Sequence, residues 1–183
     1  IKVINPNVVD LWAFYEAGFH NLLAVALKER HPKEVLKTAF ALLGVGQLSL
    51  TKAMVLVRED VNCRRFDALL RELWFRFEPE EHMLLLPVAP LDTLDFTSFK
   101  MHVGSKLILD ATGERRTHTD PPKEVADPRT FNQQIKNYRL LDGGFLVVAV
   151  EREPRQVLAD LLKWSGLGPI KFIVAVSPDV SLR

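Results

Sequence analysis

The sequence predicts an α/β fold, in which helices pack on a layered sheet. Two apolar runs of strand length, residues 22–27 and 53–57, flank a segment of helical periodicity at residues 32–43. A strand, a helix and a second strand in so short a stretch form a βαβ unit, which requires a parallel strand pair and a right-handed crossover. A second, degenerate unit of this kind follows at residues 145–176. We therefore expect a fold built from two repeated βαβ units.

The first crossover helix has clear start and stop signals. Pro32 suits the first helical turn, where its missing N–H costs nothing, and Gly44 and Gly46 are natural terminators. Between them, apolar residues recur at helical spacing, namely Val35, Leu36, Ala39, Phe40 and Leu43. The pattern predicts a helix with one buried face that joins the two strands.

A second amphipathic helix is predicted after the strand at residues 53–57. Asn62 is a candidate N-cap, and Pro79 ends the segment. The spacing i, i+3, i+4, i+7, i+8, i+11 gives an apolar stripe made of Phe66, Leu69, Leu70, Leu73, Trp74 and Phe77. We expect this stripe to be buried against the sheet.

The remaining elements are short and separated by polar or proline-rich connections. Residues 114–129 are polar and contain three prolines, which is typical of a linker or a long surface loop. Elsewhere we predict an extended lead-in at residues 1–7, a strand or turn at 11–16, strands at 83–86 and 106–109, an irregular segment at 91–105, a short helix at 128–138, and a helix at 154–162 in the second unit.

The two βαβ units match at more than their overall pattern. Both crossover segments begin at a proline, Pro32 or Pro154, and both second strands begin just after a lysine, Lys52 or Lys171. Any two βαβ units look alike, but matching proline, lysine and aspartate positions together favour a true duplication.

The repeat suggests a division of the chain into two parts. We assign residues 1–118 to the first α/β unit. Residues 119–183 would then hold the linker and the degenerate second repeat, packed on the first unit.

Composition argues against several classes of function. The chain has 24 basic and 23 acidic residues, so its net charge of +1 disfavours bulk electrostatic binding to nucleic acid or anionic membranes. No apolar run approaches the roughly 20 residues that a membrane helix requires. The single cysteine, Cys63, cannot form an intrachain disulfide and indicates a reducing compartment such as the cytoplasm. Because the chain starts at Ile1, we expect it to be a piece of a longer polypeptide.

Lys52 is the most suggestive polar residue, because it stands at the start of a strand buried on both faces. Ligands of open α/β sheets usually bind at the carboxyl ends of strands, and Lys52 is at the amino end. It is therefore either a surface lysine or a cation that reaches a phosphate held by another domain. Glu59 and Asp60 lie at the favoured end, where Asp60 can also cap the next helix.

The other candidates form no complete site. Gly104-Ser105-Lys106 can hold an anion with backbone N–H groups and an ammonium, although it lacks the glycine spacing of a P-loop. Asp92 and Asp95 are typical turn residues, and a position near a helix start can lower the pKa of the Cys63 thiol. No metal-ligand spacing is found among the histidines, which are His20, His31, His82, His102 and His118. We predict no catalytic and no metal-binding residue.

Four motifs follow one another between residues 22 and 112. Thr51-Lys52 precedes an apolar strand and then Glu59-Asp60-Val61-Asn62; next come Arg76-Phe77-Glu78-Pro79 and residues 90–96; the last is Gly104-Ser105-Lys106-Leu107-Ile108-Leu109-Asp110-Ala111-Thr112. This order resembles the C-terminal domain of the UbiD family of prenylated-FMN-dependent decarboxylases, whose last motif is Gly-Ser-Lys-x-Gly-x-Asp-Ala-Thr. Departures are Arg58, where an acid is common, and Ile108 or Leu109 in place of a glycine.

The resemblance implies reversible decarboxylation of an aromatic or α,β-unsaturated acid on prenylated FMN, with a divalent metal and potassium at the cofactor phosphate. It implies that other domains of the same enzyme carry the catalytic arginine, the paired glutamates and the metal ligands. A flavin prenyltransferase would supply the cofactor. Lys52 matches the family lysine that reaches the cofactor phosphate, and a homo-oligomer is expected because this domain forms much of the family's subunit interface. The second unit resembles the extended C-termini of longer, menaquinone-pathway members, which suggests quinone biosynthesis.

Two functions follow from the sequence. In the first, the chain is the C-terminal domain of a UbiD-like carboxy-lyase, inactive when isolated, which contributes assembly and Lys52. In the second, it is a non-catalytic oligomerisation or small-molecule-binding α/β module.

Overall fold

The computed structural model describes residues 1–93, 95, 98 and 100–182. The chain divides into two compact units, Ile1–His118 and Thr119–Arg183. Within the described residues the first unit contains a five-stranded sheet and the second a three-stranded sheet, each with helices. This confirms the predicted α/β class.

The five-stranded sheet has the order β1-β2-β3-β5-β4. Its centre is parallel, because β2 (Leu22–Leu27) pairs with β3 (Ala53–Arg58) and β3 pairs with β5 (Val103–Ala111) in the same direction. The edge strands β1 (Val8–Ala13) and β4 (Met83–Pro90) run antiparallel to their neighbours. Central strands covered on both faces are expected to be continuous aliphatic runs, and the side chains from Met54 to Val57 are accordingly buried.

Helix α1 (Glu34–Leu43) carries the chain from β2 to β3 and buries one face on the sheet. Helices α2 (Phe66–Arg76) and α3 (Pro79–His82) connect β3 to β4. The core beneath α1 consists of Val8, Leu23, Val25, Leu27, Val35, Ala39, Leu42, Met54, Leu56 and Ile108. None of the helices in the described part of the chain has the length and apolarity to cross a membrane.

The second unit has a sheet of order β6-β7-β8. Strand β6 (Ile135–Leu141) is antiparallel to β7 (Phe145–Val150), and β7 is parallel to β8 (Phe172–Val176) after the crossover helix α4 (Pro154–Leu161). This is the same succession of elements as β1, β2, α1 and β3 in the first unit. Its own core consists of Ile135, Leu146, Val148, Val150, Val157, Leu161 and Leu167.

The predicted short helix at residues 128–138 is wrong. A single 3-10 turn, Pro128–Thr130, is capped by the Asp127 carboxylate, which accepts the Arg129 N–H at 2.9 Å. The chain then enters β6, where Ile135 is buried and Lys136 and Asn137 are exposed. Pairing with β7 overrides the local preference of this segment, because the ladder bonds its backbone groups and places Ile135 in the core of the second unit.

The start of α2 also differs from the prediction. Asn62 does not cap the helix, because its side chain accepts the Arg64 N–H at 3.1 Å in a local turn and α2 begins only at Phe66. Phe66 is 45% exposed, whereas Phe75 is buried in the helix instead. Because α2 starts later than predicted, Cys63 lies in the preceding turn, where its side chain is buried.

Strand β4 is longer than the sequence suggests, and β1 lies earlier in the chain than the predicted strand or turn at residues 11–16. Strand β4 continues through Pro87 to Pro90, with a shift in pairing between Leu86 and Ala89 that accommodates the proline. The predicted extended lead-in at residues 1–7 is instead a series of turns, and β1 begins at Val8. The irregular segment predicted at residues 91–105 ends earlier than expected, because β5 begins at Val103. Positions 94, 96, 97 and 99 of that segment lie outside the described residues.

Candidate functional site

Lys52 lies immediately before β3, at the amino end of the parallel strands. Its backbone N–H donates to His20 O at 3.2 Å, and its carbonyl accepts the Leu107 N–H at 2.8 Å, so the backbone is fixed on both sides. The ammonium Nζ donates to Asp95 Oδ2 at 2.8 Å. The Asp95 side chain is only 1% exposed and the Lys52 side chain 28% exposed. Lys52 is therefore a partly accessible cation paired with a buried carboxylate.

Asp95 does more than the turn role that its sequence context predicts. Its backbone N–H does close a turn by donating to Asp92 O at 3.1 Å. No sequence signal indicates its second role as the partner of Lys52, because the two residues are 43 positions apart and meet only through the fold. Asp92 lies in the same region, with Oδ2 at 3.7 Å from His20 Nε2.

Lys106 supports the segment before Lys52 from the neighbouring strand. Its Nζ donates to Ser49 O at 2.7 Å and to Thr51 O at 2.6 Å, and the residue is buried. Burial lowers the pKa of the Lys106 ammonium. The anion site predicted at Gly104-Ser105-Lys106 is therefore wrong, because the cation of that motif is directed at backbone carbonyls. Gly104 itself is required for packing, since a Cβ atom there would lie 2.4 Å from Leu91 Cδ1.

A small cavity of about 220 Å³ lies at the same amino end of the sheet. It is lined by Ala13, Phe19, His20, Leu23, Gln47, Leu48 and Thr51. Its volume is below the range of about 300–1,000 Å³ that is usual for sites of drug-sized ligands. The first unit thus provides a cation and a shallow recess here, but no cradle for a whole flavin.

At the carboxyl ends of the strands, the predicted acids make surface ion pairs. Glu59 lies 3.7 Å from Lys28, and Asp60, whose side chain is 72% exposed, lies 3.6 Å from Arg58. Asp60 does not cap α2, which starts at Phe66. Two buried polar residues, Asp110 and His82, lie at this end. Neither was predicted as a site residue. Asp110 belongs to the Asp-Ala-Thr motif, so the motif was visible but its position at a strand end was not.

Cys63 is less reactive than its position suggests. Burial, followed by the charge of Asp10, raises the pKa of the thiol to about 11. The expected lowering by a helix N-terminus is wrong, because α2 begins three residues later. Cys63 is a core residue.

The described residues bring together no group of three or more His, Cys, Asp or Glu side chains that could hold a metal ion. Among the described residues at the amino end of the sheet, the ammonium of Lys52 is a group that could bind a flavin phosphate. These residues fit a contribution of one cation to a cofactor held mainly by other parts of a protein.

The fold and this partial site define an α/β domain with a partly exposed cation at the amino end of its sheet. The profile of the 3-octaprenyl-4-hydroxybenzoate carboxy-lyase C-terminal domain matches residues 1–111. The chain therefore belongs to the UbiD family. Lys52 and the Gly104 to Thr112 motif both lie inside or at the limit of the matched region, whereas the whole second unit lies beyond it.

Relatives at the sequence level agree with this assignment. The chain is 35% identical over 116 residues to an uncharacterised protein of Archaeoglobus fulgidus, covering 63% of this chain and 24% of the relative. It is 37% identical over 112 residues to a 4-hydroxybenzoate decarboxylase subunit of Chlamydia pneumoniae, covering 61% of this chain and 19% of the relative. The chain thus spans between a fifth and a quarter of the length of these relatives.

Solved structures share the fold. The vanillic acid decarboxylase of Sedimentibacter hydroxybenzoicus superimposes with a TM-score of 0.58 at 23% identity, covering 69% of this chain and 27% of that chain. The UbiD-class enzyme HmfF of Pelotomaculum thermopropionicum, in complex with FMN, superimposes with a TM-score of 0.55 at 18% identity, covering 72% of this chain and 28% of that chain. At these identities the likeness shows the fold alone.

Proposed function

We propose that this chain is the C-terminal part of a UbiD-like carboxy-lyase that decarboxylates an aromatic or α,β-unsaturated acid. The observation that carries the proposal is the family match over residues 1–111, which includes Lys52 at the start of the central strand. The 4-hydroxybenzoate decarboxylase subunit among the relatives supports an aromatic acid as substrate. We also propose that this decarboxylation is a step of quinone biosynthesis.

Within such an enzyme, Lys52 would bind the phosphate of a prenylated FMN held by a preceding domain. The flavin supplies the decarboxylation chemistry when bound. Lys52 suits the task because its ammonium is partly exposed and lies at the end of a rigid strand. A hydrogen bond between an ammonium and a phosphate is charge-assisted and stronger than a neutral one. Lys106 keeps the preceding backbone in place through Ser49 O and Thr51 O.

The residues that would hold a divalent metal and potassium are proposed to lie in other domains. The described residues of this chain offer no cluster of metal ligands. The chain then contributes one phosphate contact and assembly, and we expect no decarboxylation by the isolated fragment. A flavin prenyltransferase would supply the cofactor to the full enzyme.

The proposed role of Lys52 can be tested in the full-length enzyme that contains this segment. Lys52→Ala should reduce the flavin retained after gel filtration and reduce the decarboxylation rate, because the phosphate loses its ammonium partner. Lys171→Ala is the matched control, since Lys171 precedes β8 as Lys52 precedes β3, and its N–H likewise donates to a carbonyl, Gly144 O, at 3.0 Å. Equal flavin content and rate for Lys52→Ala and the parent enzyme would refute the assignment.

Assembly is the second proposed contribution. Strand β4 and the turn before β5 carry exposed apolar side chains, with Leu85 55%, Met101 71% and Val88 78% exposed. Exposed apolar groups concentrated in one region are typical of interaction surfaces. Native mass spectrometry of the isolated chain should detect a dimer or larger species, and replacing Val88 by Asp should shift it towards monomer. A chain that is monomeric at all accessible concentrations would contradict the assembly role.

A further inference from the structure

A cavity of about 470 Å³ opens at the carboxyl ends of the three parallel strands β2, β3 and β5. This is the end of an open α/β sheet at which ligands usually bind, and it is opposite to the end that carries Lys52. The connection from β2 to α1 forms one wall of the cavity. Its lining consists of Leu27, Lys28, Glu29, Arg30, His31, Pro32, Lys33, Arg58, Glu59, His82, Asp110, Thr112 and Gly113.

Asp110 is a buried carboxylate that has no cationic partner among the described residues. The residue is 4% exposed. Its Oδ1 accepts the Thr112 N–H at 3.0 Å and the Thr112 Oγ1 hydroxyl at 2.6 Å. Its Oδ2 receives no hydrogen bond from the part of the chain that the structure describes. A buried charge normally has a paired group, because desolvation without compensation is costly. The second oxygen of Asp110 is open to the cavity, where it can accept a hydrogen bond from solvent or from a ligand.

His82 lines the same cavity as Asp110. It is the last residue of α3, and Asp110 is the penultimate residue of β5, so each lies one position beyond the ladder pair Met83–Leu109. His82 Nδ1 accepts the Glu78 N–H at 3.0 Å, so the neutral ring carries its proton on Nε2. Nε2 has no closer polar contact among the described residues than Glu81 Oε2 at 4.0 Å.

The Glu29 carboxylate lines the cavity and accepts the Lys33 N–H at 2.7 Å, so the rim carries charges of both signs. Three of its four cationic side chains are held by carboxylates, in the pairs Lys28–Glu59 at 3.7 Å, Arg30–Glu34 at 3.9 Å and Arg58–Asp60 at 3.6 Å. The fourth, Lys33, is exposed and forms no ion pair with any residue that the structure describes. Lys33 is thus a ready contact for an anionic group that enters the cavity from solvent.

We propose that this cavity binds a small hydroxylated anion of sugar-phosphate size. The oxygen of a ligand hydroxyl would accept a hydrogen bond from His82 Nε2–H, and its O–H would donate one to Asp110 Oδ2, which matches one donor and one acceptor on the floor. The phosphate would lie at the rim against Lys33. An anion without a hydroxyl is disfavoured, because Asp110 would repel it without gaining a hydrogen bond. The volume is within the usual range for small-ligand sites.

The proposal can be tested on the 183-residue chain with ribose 5-phosphate as the probe. Isothermal titration calorimetry should detect saturable binding of ribose 5-phosphate, and much weaker binding of ribose or of inorganic phosphate alone. Asp110→Asn keeps an oxygen for the two Thr112 contacts but removes the charged acceptor, so the affinity should fall about tenfold, as expected for one hydrogen bond to a charged group.

A second variant tests the rim independently of the floor. Lys33→Gln should also weaken ribose 5-phosphate binding, and Lys37→Gln, on the exposed face of α1 outside the cavity, is its matched control. Lys33 has a φ of 64°, and glutamine meets the same backbone constraint as lysine, so the variant should fold normally. No saturable binding of ribose 5-phosphate would overturn the proposal. It would also be overturned by affinities that are equal in the parent and both cavity variants, or by equally tight binding of inorganic phosphate.

These outcomes are separate from those of the Lys52 experiment. If flavin retention does not depend on Lys52, the results expected from titrating this cavity stay the same, because the two sets of residues lie at opposite ends of the same strands.

Discussion

Removing the Lys52 ammonium should destabilise the first unit measurably, apart from any effect on a cofactor. Nζ lies 2.8 Å from Asp95 Oδ2, and the Asp95 side chain is only 1% exposed. Breaking a buried ion pair by deleting one partner costs about 3–5 kcal/mol. Because Lys52 is 28% exposed and water screens part of its charge, we expect Lys52→Met to lower the free energy of unfolding by about 2 kcal/mol.

Urea unfolding followed by tryptophan fluorescence measures this loss. Trp12 and Trp74 report on the first unit, and Trp164 reports on the second. A Trp164→Phe background keeps an aromatic ring against Phe131, whose centroid is 5.1 Å away, and makes the signal specific to the first unit.

A double-mutant cycle separates the pair from other effects. Asp95→Asn in the Lys52→Met background should restore part of the stability, because a neutral amide then replaces the buried carboxylate that lost the Lys52 ammonium, and the coupling energy should exceed about 1 kcal/mol. A loss below about 0.5 kcal/mol for Lys52→Met, typical of an exposed pair, would refute the reasoning. Reduced flavin binding by Lys52→Ala could then be assigned to the phosphate contact alone.

Three further predictions concern the two cores and the thiol. Thr38→Val should lower the unfolding free energy by about 1–3 kcal/mol in urea titrations, because buried Asn7 Nδ2 loses its acceptor at 2.7 Å, while Thr38→Ser should be close to the parent. Cys63 should react with iodoacetamide at pH 8 about a hundredfold more slowly in the native chain than in urea, since its pKa is raised from 9.0 to about 11; comparable rates would contradict the burial. The native thiol keeps its proton where the unfolded thiol has lost it, so its contribution to stability is complete below pH 9.0 and declines as the pH rises to about 11. Leu146→Ala, at a fully buried site in the second unit, should lower that unit's unfolding free energy by about 2–5 kcal/mol, as read from Trp164 fluorescence.

The parts of the fold that were predicted correctly are those with strong local signals. The runs at Leu22–Leu27 and Phe145–Val150 are continuous and aliphatic, and each is a strand with the predicted limits. Helix α1 follows from its periodicity and from Gly44, its C-cap. In such segments the local sequence preference and the tertiary contacts favour the same structure.

The errors occur where partners distant in sequence decide the structure. Strand β6 is specified by its pairing with β7, and no alternation in its own residues marks it clearly. The strand β4 contains Pro87, which local rules treat as a terminator, yet an edge strand tolerates a missing N–H on its open side.

The candidate site was predicted only in part for a similar reason. Lys52 was identified from its position before an apolar run. Its partner Asp95 and its support from Lys106 depend on the approach of residues 43 to 57 positions away, which no local pattern encodes. His82 and Asp110 were visible as a histidine and as part of a motif, but only the fold brings them into the lining of one cavity.

The irregular pairings of the edge strands bear on how the protein resists aggregation. Strand β1 shifts register between Val8 and Asp10, and β4 between Leu86 and Ala89, so neither edge of the five-stranded sheet offers a regular row of free N–H and C=O groups. Bulges and edge prolines obstruct the addition of foreign strands. Strand β8 is different, because Phe172–Val176 pairs with β7 without a shift and contains neither proline nor charge. Among the edge strands that the structure describes, β8 thus has the most regular backbone for pairing with a further strand.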